Sequence, residues 1–108
     1  MNPRIESLVK MLNGPRDGAL LRFSLGNEYL KAGDSLTASN YFQDAVDRDQ
    51  KYSAAWKALG KTLAESGNHA GALTAYEKGI AVAEARGDIQ AAKEMTIFAR
   101  RIRKALEA

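Results

Sequence analysis

The 108-residue sequence has no cysteine, two prolines, one histidine and one tryptophan. Without cysteine there is no disulfide, no thiolate metal site and no thiol nucleophile. With so little proline, and with Ala, Leu, Glu and Lys abundant, an all-β sandwich or a collagen-like chain is improbable. No apolar run approaches the ~20 residues that cross a bilayer. The stretch Met1-Asn2-Pro3-Arg4-Ile5-Glu6-Ser7 lacks the apolar centre of a signal peptide, so the cytoplasm is the expected location. Phosphate-cradling loops are missing: there is no Gly-x-x-x-x-Gly-Lys-Ser/Thr and no Gly-x-Gly-x-x-Gly. His69, the only histidine, is a first-turn surface residue and cannot build a metal cluster alone. Asp44, Asp47 and Asp49 lack the loop glycine and distal glutamate of a calcium loop. No serine or aspartate has a placed base beside it. The expectation is therefore a non-catalytic chain with no catalytic residues, no metal and no cofactor.

What is present is an ordinary globular composition, 45% hydrophobic and 27% charged, of a length that fits one domain. The formal charge is +3, from 16 basic and 13 acidic residues. Its distribution is uneven. Lys93, Arg100, Arg101, Arg103 and Lys104 face only Glu94 within their stretch, which is +4 by itself and leaves −1 for the remainder. Such a patch attracts acidic peptides, nucleic acid or anionic lipid, or merely complements a helix C-terminus.

Glycine-centred breaks at Asn13-Gly14-Pro15, Gly33-Asp34, Gly67-Asn68 and Gly87-Asp88 divide the chain. Between them apolar residues recur at threes and fours, the helical spacing, and no segment alternates as a strand does. The first predicted helix starts at the Asn2 cap with Pro3 behind it and carries a stripe of Ile5, Leu8, Val9 and Leu12. It is expected to dock through Leu8 and Met11 on the second helix, with a mobile arm or a dimer contact as the alternatives. The second spans Asp17 to Ala32, with Leu21, Leu25 and Tyr29 inward. The third starts at Asp34 and buries Ala38, Tyr41, Phe42, Ala45 and Val46. The fourth starts near Ser53 with Trp56, Leu59, Gly60 and Leu63. The fifth starts at Asn68, carries Ala72, Leu73, Tyr76, Ile80 and Ala83, and continues to about Arg86. The last starts at Asp88, with Ile89, Ala92, Met95, Ala99, Ile102 and Leu106 on one stripe. Short connections predict antiparallel neighbours.

A shift of 34 residues aligns Leu25-Gly26 with Leu59-Gly60, Gly33 with Gly67, Ala38 with Ala72, Phe42 with Tyr76 and Val46 with Ile80. Gly26 and Gly60 fall inside helices, where glycine costs about 0.5–1 kcal/mol relative to alanine. Small residues there, and at Ala38 and Ala72 on the next helix, let two backbones approach while Phe42 or Tyr76 fills the wider end. The sequence thus encodes a helix pair twice.

In these residues the chain resembles the tetratricopeptide repeat family. The first unit, 19–52, matches its pattern at Leu25, Gly26, Tyr29, Ala38, Phe42 and Ala45, and departs at Arg22 (Trp in the pattern) and Gln50 (Pro). The second, 53–86, matches at Trp56, Leu59, Gly60, Ala72 and Tyr76, and departs at Leu63, Gly79 and Glu84. The resemblance implies an all-α fold of antiparallel helix-pair repeats, a solenoid fragment, in one domain. Residues 1–18 would form an N-terminal helix and linker, and residues 87–108 a capping helix. It also implies a protein-interaction module, an adaptor whose first helices line a concave groove for a partner's peptide or helix. The groove residues it assigns are Phe23, Asn27, Leu30 and Lys31 in the first unit, and Lys57, Lys61, Ala64 and Glu65 in the second. Lys93, Ile97 and Arg100 would continue the surface from the cap. Lys57, Lys61, Lys93 and Arg100 would make it basic, suited to an acidic segment with an apolar anchor. Family members that clamp a C-terminal carboxylate use Lys and Asn. Here Asn27 fits, but Phe23 and Ala58 stand where two other clamp residues belong, so that ligand is not expected. Two alternatives remain. One is nucleic-acid binding through Arg100, Arg101, Arg103 and Lys104, which the interleaved Ile97, Phe98 and Ile102 disfavour. The other is a structural, self-associating role. A monomer is expected, with a homodimer as the alternative and no membrane partner.

Overall fold

The computed structural model describes residues 2–108. Met1, with which the expected N-terminal segment begins, lies outside the described residues. Among the described residues there are six helices and no strand: α1 (Pro3–Val9), α2 (Ala19–Lys31), α3 (Ser35–Arg48), α4 (Ser53–Glu65), α5 (His69–Ala85) and α6 (Ile89–Glu107). None is long and apolar enough to cross a membrane.

Three connections share one construction. After α2, Gly33 takes φ +85°, a conformation that L side chains resist. Its N–H donates to the Leu30 carbonyl at 3.0 Å, and the Asp34 N–H donates to the Tyr29 carbonyl at 2.9 Å. These two bonds satisfy the last carbonyls of α2 in a Schellman motif. The Asp34 carboxylate then accepts the Thr37 N–H at 3.1 Å and caps α3. A single residue closes one helix and opens the next. Gly67-Asn68 and Gly87-Asp88 repeat the arrangement, with side-chain caps of 2.9 and 3.3 Å. The α3–α4 link is different: it runs through Asp49–Tyr52, and α4 has no side-chain cap.

Close approach of the pairs follows from glycine. A Cβ on Gly26 would lie 2.4 Å from the Phe42 ring, and one on Gly60 would lie 2.7 Å from the Tyr76 ring. The backbones of α2 and α4 therefore rest directly on aromatics of α3 and α5. Gly79 of α5 does the same for Met95 of α6, at 2.6 Å. Two clusters make up much of the core. One joins Phe42, Val46 and Ala38 of α3 to Trp56 and Leu59 of α4 and Ala75 of α5. The other joins Ala72, Tyr76 and Ala83 of α5 to Ala92, Met95, Ala99 and Ile102 of α6. Leu63 packs against both.

Several sequence expectations need correction. α1 ends at Val9, so Leu12 lies in the following turn, and of the four-residue stripe only Ile5 is buried. Docking rests on Ile5, with Leu8 and Met11 half-buried. After Val9 the chain tightens into i→i−3 bonds, Met11 N–H to the Leu8 carbonyl at 3.0 Å and Leu12 N–H to the Val9 carbonyl at 3.1 Å, and Asn13 then turns at φ 64°. α2 begins at Ala19, two residues after the expected start near Asp17, with Gly18 in an extended conformation as its N-cap. Ile89 and Leu106 leave the buried stripe of α6 and are 64% and 49% exposed. α5 ends at Ala85 with Arg86 as its cap, close to the expected position.

Candidate functional site

The residues assigned to a single groove fall into separate surroundings. Phe23 is not a free surface aromatic. Its ring lies 4.9 Å from Tyr52 and 5.7 Å from Phe42, centre to centre, and it closes the end of the first cluster. Asn27 and Lys31 line a cleft of about 310 Å³ with Leu30, Glu28 and Arg4, so α1 forms its other wall. Lys31 is itself engaged, 3.5 Å from the nearly buried Glu28, which also holds Arg4 at 2.9 Å. Leu30 packs on the core.

On α4, Lys57 donates to Glu94 of α6 at 2.8 Å, with both side chains about two-thirds covered. That hydrogen bond, then the lysine's charge, holds the Glu94 carboxyl below the usual carboxylate range. The pair ties the first helix of the second repeat to the cap, and it neutralises a cation the groove was expected to offer. Lys61 and Glu65 are exposed and Ala64 is half-buried. Lys93, Ile97 and Arg100 come together on α6, lining a cleft of about 600 Å³ with Ile89, Ala92, Thr96 and, from α5, Glu84.

Spacing in the sequence did not reveal three charged groups that organise these surfaces. Arg22, which stands where the repeat pattern has Trp, donates to Asp17 at 3.0 and 2.7 Å and to Asp44 at 3.2 Å. Asp17 also accepts the Asn13 N–H at 2.9 Å. The Arg22 hydrogen bond first, and the Asn13 bond second, hold the Asp17 carboxyl far below its ordinary value. Arg22 thus joins the α1–α2 loop, α2 and α3. Glu28 and Glu94 are the other two. Their one available sign was a lone acid on an otherwise apolar or basic face.

A further cleft of about 810 Å³ runs between α3 and α5. Trp56, Leu59 and Leu63 of α4 lie in it, and Asp47, Lys51 and Lys78 are among its charged lining. The Trp56 indole N–H donates to the Gln50 carbonyl at 2.8 Å, and the Lys78 ammonium sits 5.6 Å over its ring. Chemically, these surfaces offer apolar strips flanked by ammonium, guanidinium and amide groups. Among the described residues no three His, Cys, Asp or Glu side chains are grouped to hold a metal ion.

Comparison with known proteins places this arrangement. A tetratricopeptide repeat family profile matches residues 23–94. A TPR repeat-containing protein of Pseudomonas aeruginosa is 52% identical over 101 residues, covering 94% of this chain and 96% of its own. The solution structure of a protein from Bordetella parapertussis is 43% identical with a TM-score of 0.79, covering 97% of this chain and 91% of that one. The crystal structure of the Sgt2 TPR domain from Aspergillus fumigatus is 28% identical with a TM-score of 0.79, covering 96% and 69%.

Proposed function

The chain belongs to the tetratricopeptide repeat family, and from that premise we propose that it is a non-catalytic adaptor that holds a peptide or helix of a partner protein. Interaction between proteins is the general role of the family. The observation that carries the reading is the repeated glycine–aromatic helix pair, with Gly26 on Phe42 and Gly60 on Tyr76. Such pairs consume the apolar faces between the helices and leave the first-helix surfaces of α2, α4 and α6 for a ligand. The proposed contact residues are Asn27, Lys31, Lys57, Lys61, Lys93, Ile97 and Arg100, with Phe23 supporting them from the core edge. Lys61, Lys93 and Arg100 have no ion-pair partner among the described residues, which favours an acidic segment. The working form is a monomer in the cytoplasm.

A photo-cross-linker placed at Lys61 tests this. In nuclease-treated lysate it is expected to capture a discrete protein, while the same group at exposed Asn40 of α3 does not. Equal capture at both positions overturns the groove. Capture that vanishes with nuclease assigns the basic surface to nucleic acid instead.

A further inference from the structure

α6 occupies the place of a first helix whose second helix is absent among the described residues. Leu59 of α4 and Met95 of α6 are each the buried centre of their helix, 2% and 0% exposed. Laying one on the other sets an offset of 36 residues, which pairs Trp56 with Ala92, Gly60 with Thr96 and Lys57 with Lys93. Gly60 is where α5 seats its Tyr76 ring on α4, and Gly26 is where α3 seats Phe42 on α2. The equivalent position on α6, Thr96, has no helix against it. It lies instead in the open cleft of about 600 Å³ with Ile89, Ala92, Lys93, Ile97 and Arg100.

We propose that this cleft is a docking site for an acidic amphipathic helix of another protein, which completes a third helix pair by packing on α6 beside the end of α5. This rests on the adaptor reading and names the chemistry of one of its surfaces. Four features define the occupant. Ile89 and Ile97, 64% and 45% exposed, give apolar contact on either side of Thr96. Lys93 and Arg100 are seven residues apart, two helical turns or about 10.5 Å, and both are exposed. Neither has an ion-pair partner among the described residues, whereas neighbouring Arg103 is held by Glu77 at 3.0 Å and Glu94 by Lys57. An incoming helix with carboxylates at the same seven-residue spacing meets both cations, and Glu84 at the cleft's edge leaves the lining at +1 overall. Finally, Thr96 carries the Cβ that Gly26 and Gly60 lack. Its hydroxyl donates to the Ala92 carbonyl at 2.7 Å and is thereby satisfied within α6. A ring cannot seat there as Phe42 and Tyr76 do, and the occupant's central residue is aliphatic.

The test uses the full chain and a fluorescent helical peptide with two glutamates seven residues apart and leucines between them. Anisotropy is expected to show saturable binding, and amide shifts are expected to change at residues 84 and 89–100. Lys93→Glu/Arg100→Glu should weaken binding at least tenfold, and a peptide with lysines replacing the glutamates should recover it. Absent binding, equal binding of an uncharged peptide, or shifts centred on Asn27 and Lys61 overturn the proposal. The last result would keep the adaptor and return its ligand to α2 and α4. A wild-type dimer that Ile97→Asp converts to monomer also overturns it, by giving the face to a second copy.

Discussion

At the scale of single residues, Gly26 and Gly60 are tightly constrained positions inside their helices. A methyl group at Gly26 would meet the Phe42 ring at 2.4 Å, and at Gly60 the Tyr76 ring at 2.7 Å. Overpacking of this kind costs about 1–3 kcal/mol. The intrinsic helix gain of alanine returns about 0.5–1 kcal/mol. Gly26→Ala and Gly60→Ala are therefore each expected to destabilise by about 0.5–2 kcal/mol, read as a lower urea midpoint at unchanged slope. Gly26→Ala/Phe42→Leu should cost less than the sum of its parts, because the two sites share one contact. Tyr76 supplies a second residue-level test. Its burial, and then the charge of Glu65, push its phenol up to about 12. Burial moves Tyr41 and Tyr52 in the same direction. A phenol raised in the folded state keeps its proton longer there than in the unfolded chain. The resulting stability is complete below the ordinary value of 10.0 and is lost as the pH rises toward about 12. Denaturation midpoints should fall across that interval, and Tyr76→Phe should flatten the fall.

At the scale of elements, charge decides what apolar spacing leaves open. Arg22 joins the loop before α2 to α3 through Asp17 and Asp44. With Asp17 depressed by that contact, its contribution is complete above the ordinary aspartate range and disappears as the pH falls through and below it. Arg22→Ala is expected to lower the thermal midpoint at neutral pH, and the gap from wild type should narrow in acid. α1 is the least anchored element: seven residues held by Ile5 and by the Arg4–Glu28 pair. Ile5→Ala should accelerate amide exchange across Pro3–Val9 and leave α4–α6 protected. The caps Asn2, Asp34, Asn68 and Asp88 were legible because each is a local event, a side chain bonding a backbone N–H two or three residues on. The end of α1 was not, since Leu12 continues the helical spacing of Ile5 and Leu8 beyond Val9, where the helix stops. Nor was the fate of Lys57. Its partner is 37 residues away, and no local pattern encodes a pair that only the packing of α6 beside α4 creates. The same holds for Phe23, whose place on a first helix reads as groove but whose ring lies against Tyr52 from the α3–α4 link.

At the scale of the whole molecule, the glycine–aromatic contacts and both core clusters join helices that are neighbours in sequence. The exceptions are near: Ala75 of α5 reaches the first cluster, and Lys57 of α4 reaches α6. Chains built on such local contacts fold quickly, in about microseconds to milliseconds. Refolding by stopped-flow dilution is expected within that range, with α1 adding no slow phase. That locality also has an order in time when the protein is made. A ribosome adds about 5–20 residues per second, while a helix forms in about a microsecond. Glu65, the end of α4, follows Arg48, the end of α3, by 17 residues, so α4 arrives about one to three seconds later. Throughout that wait α2 and α3 are already paired, and the side of α3 that carries Val46 has nothing to cover it until Trp56 and Leu59 emerge. The nascent first repeat is thus born with a sticky strip at its growing end. Birth, rather than maturity, is when this chain is most exposed to aggregation and in most need of a chaperone.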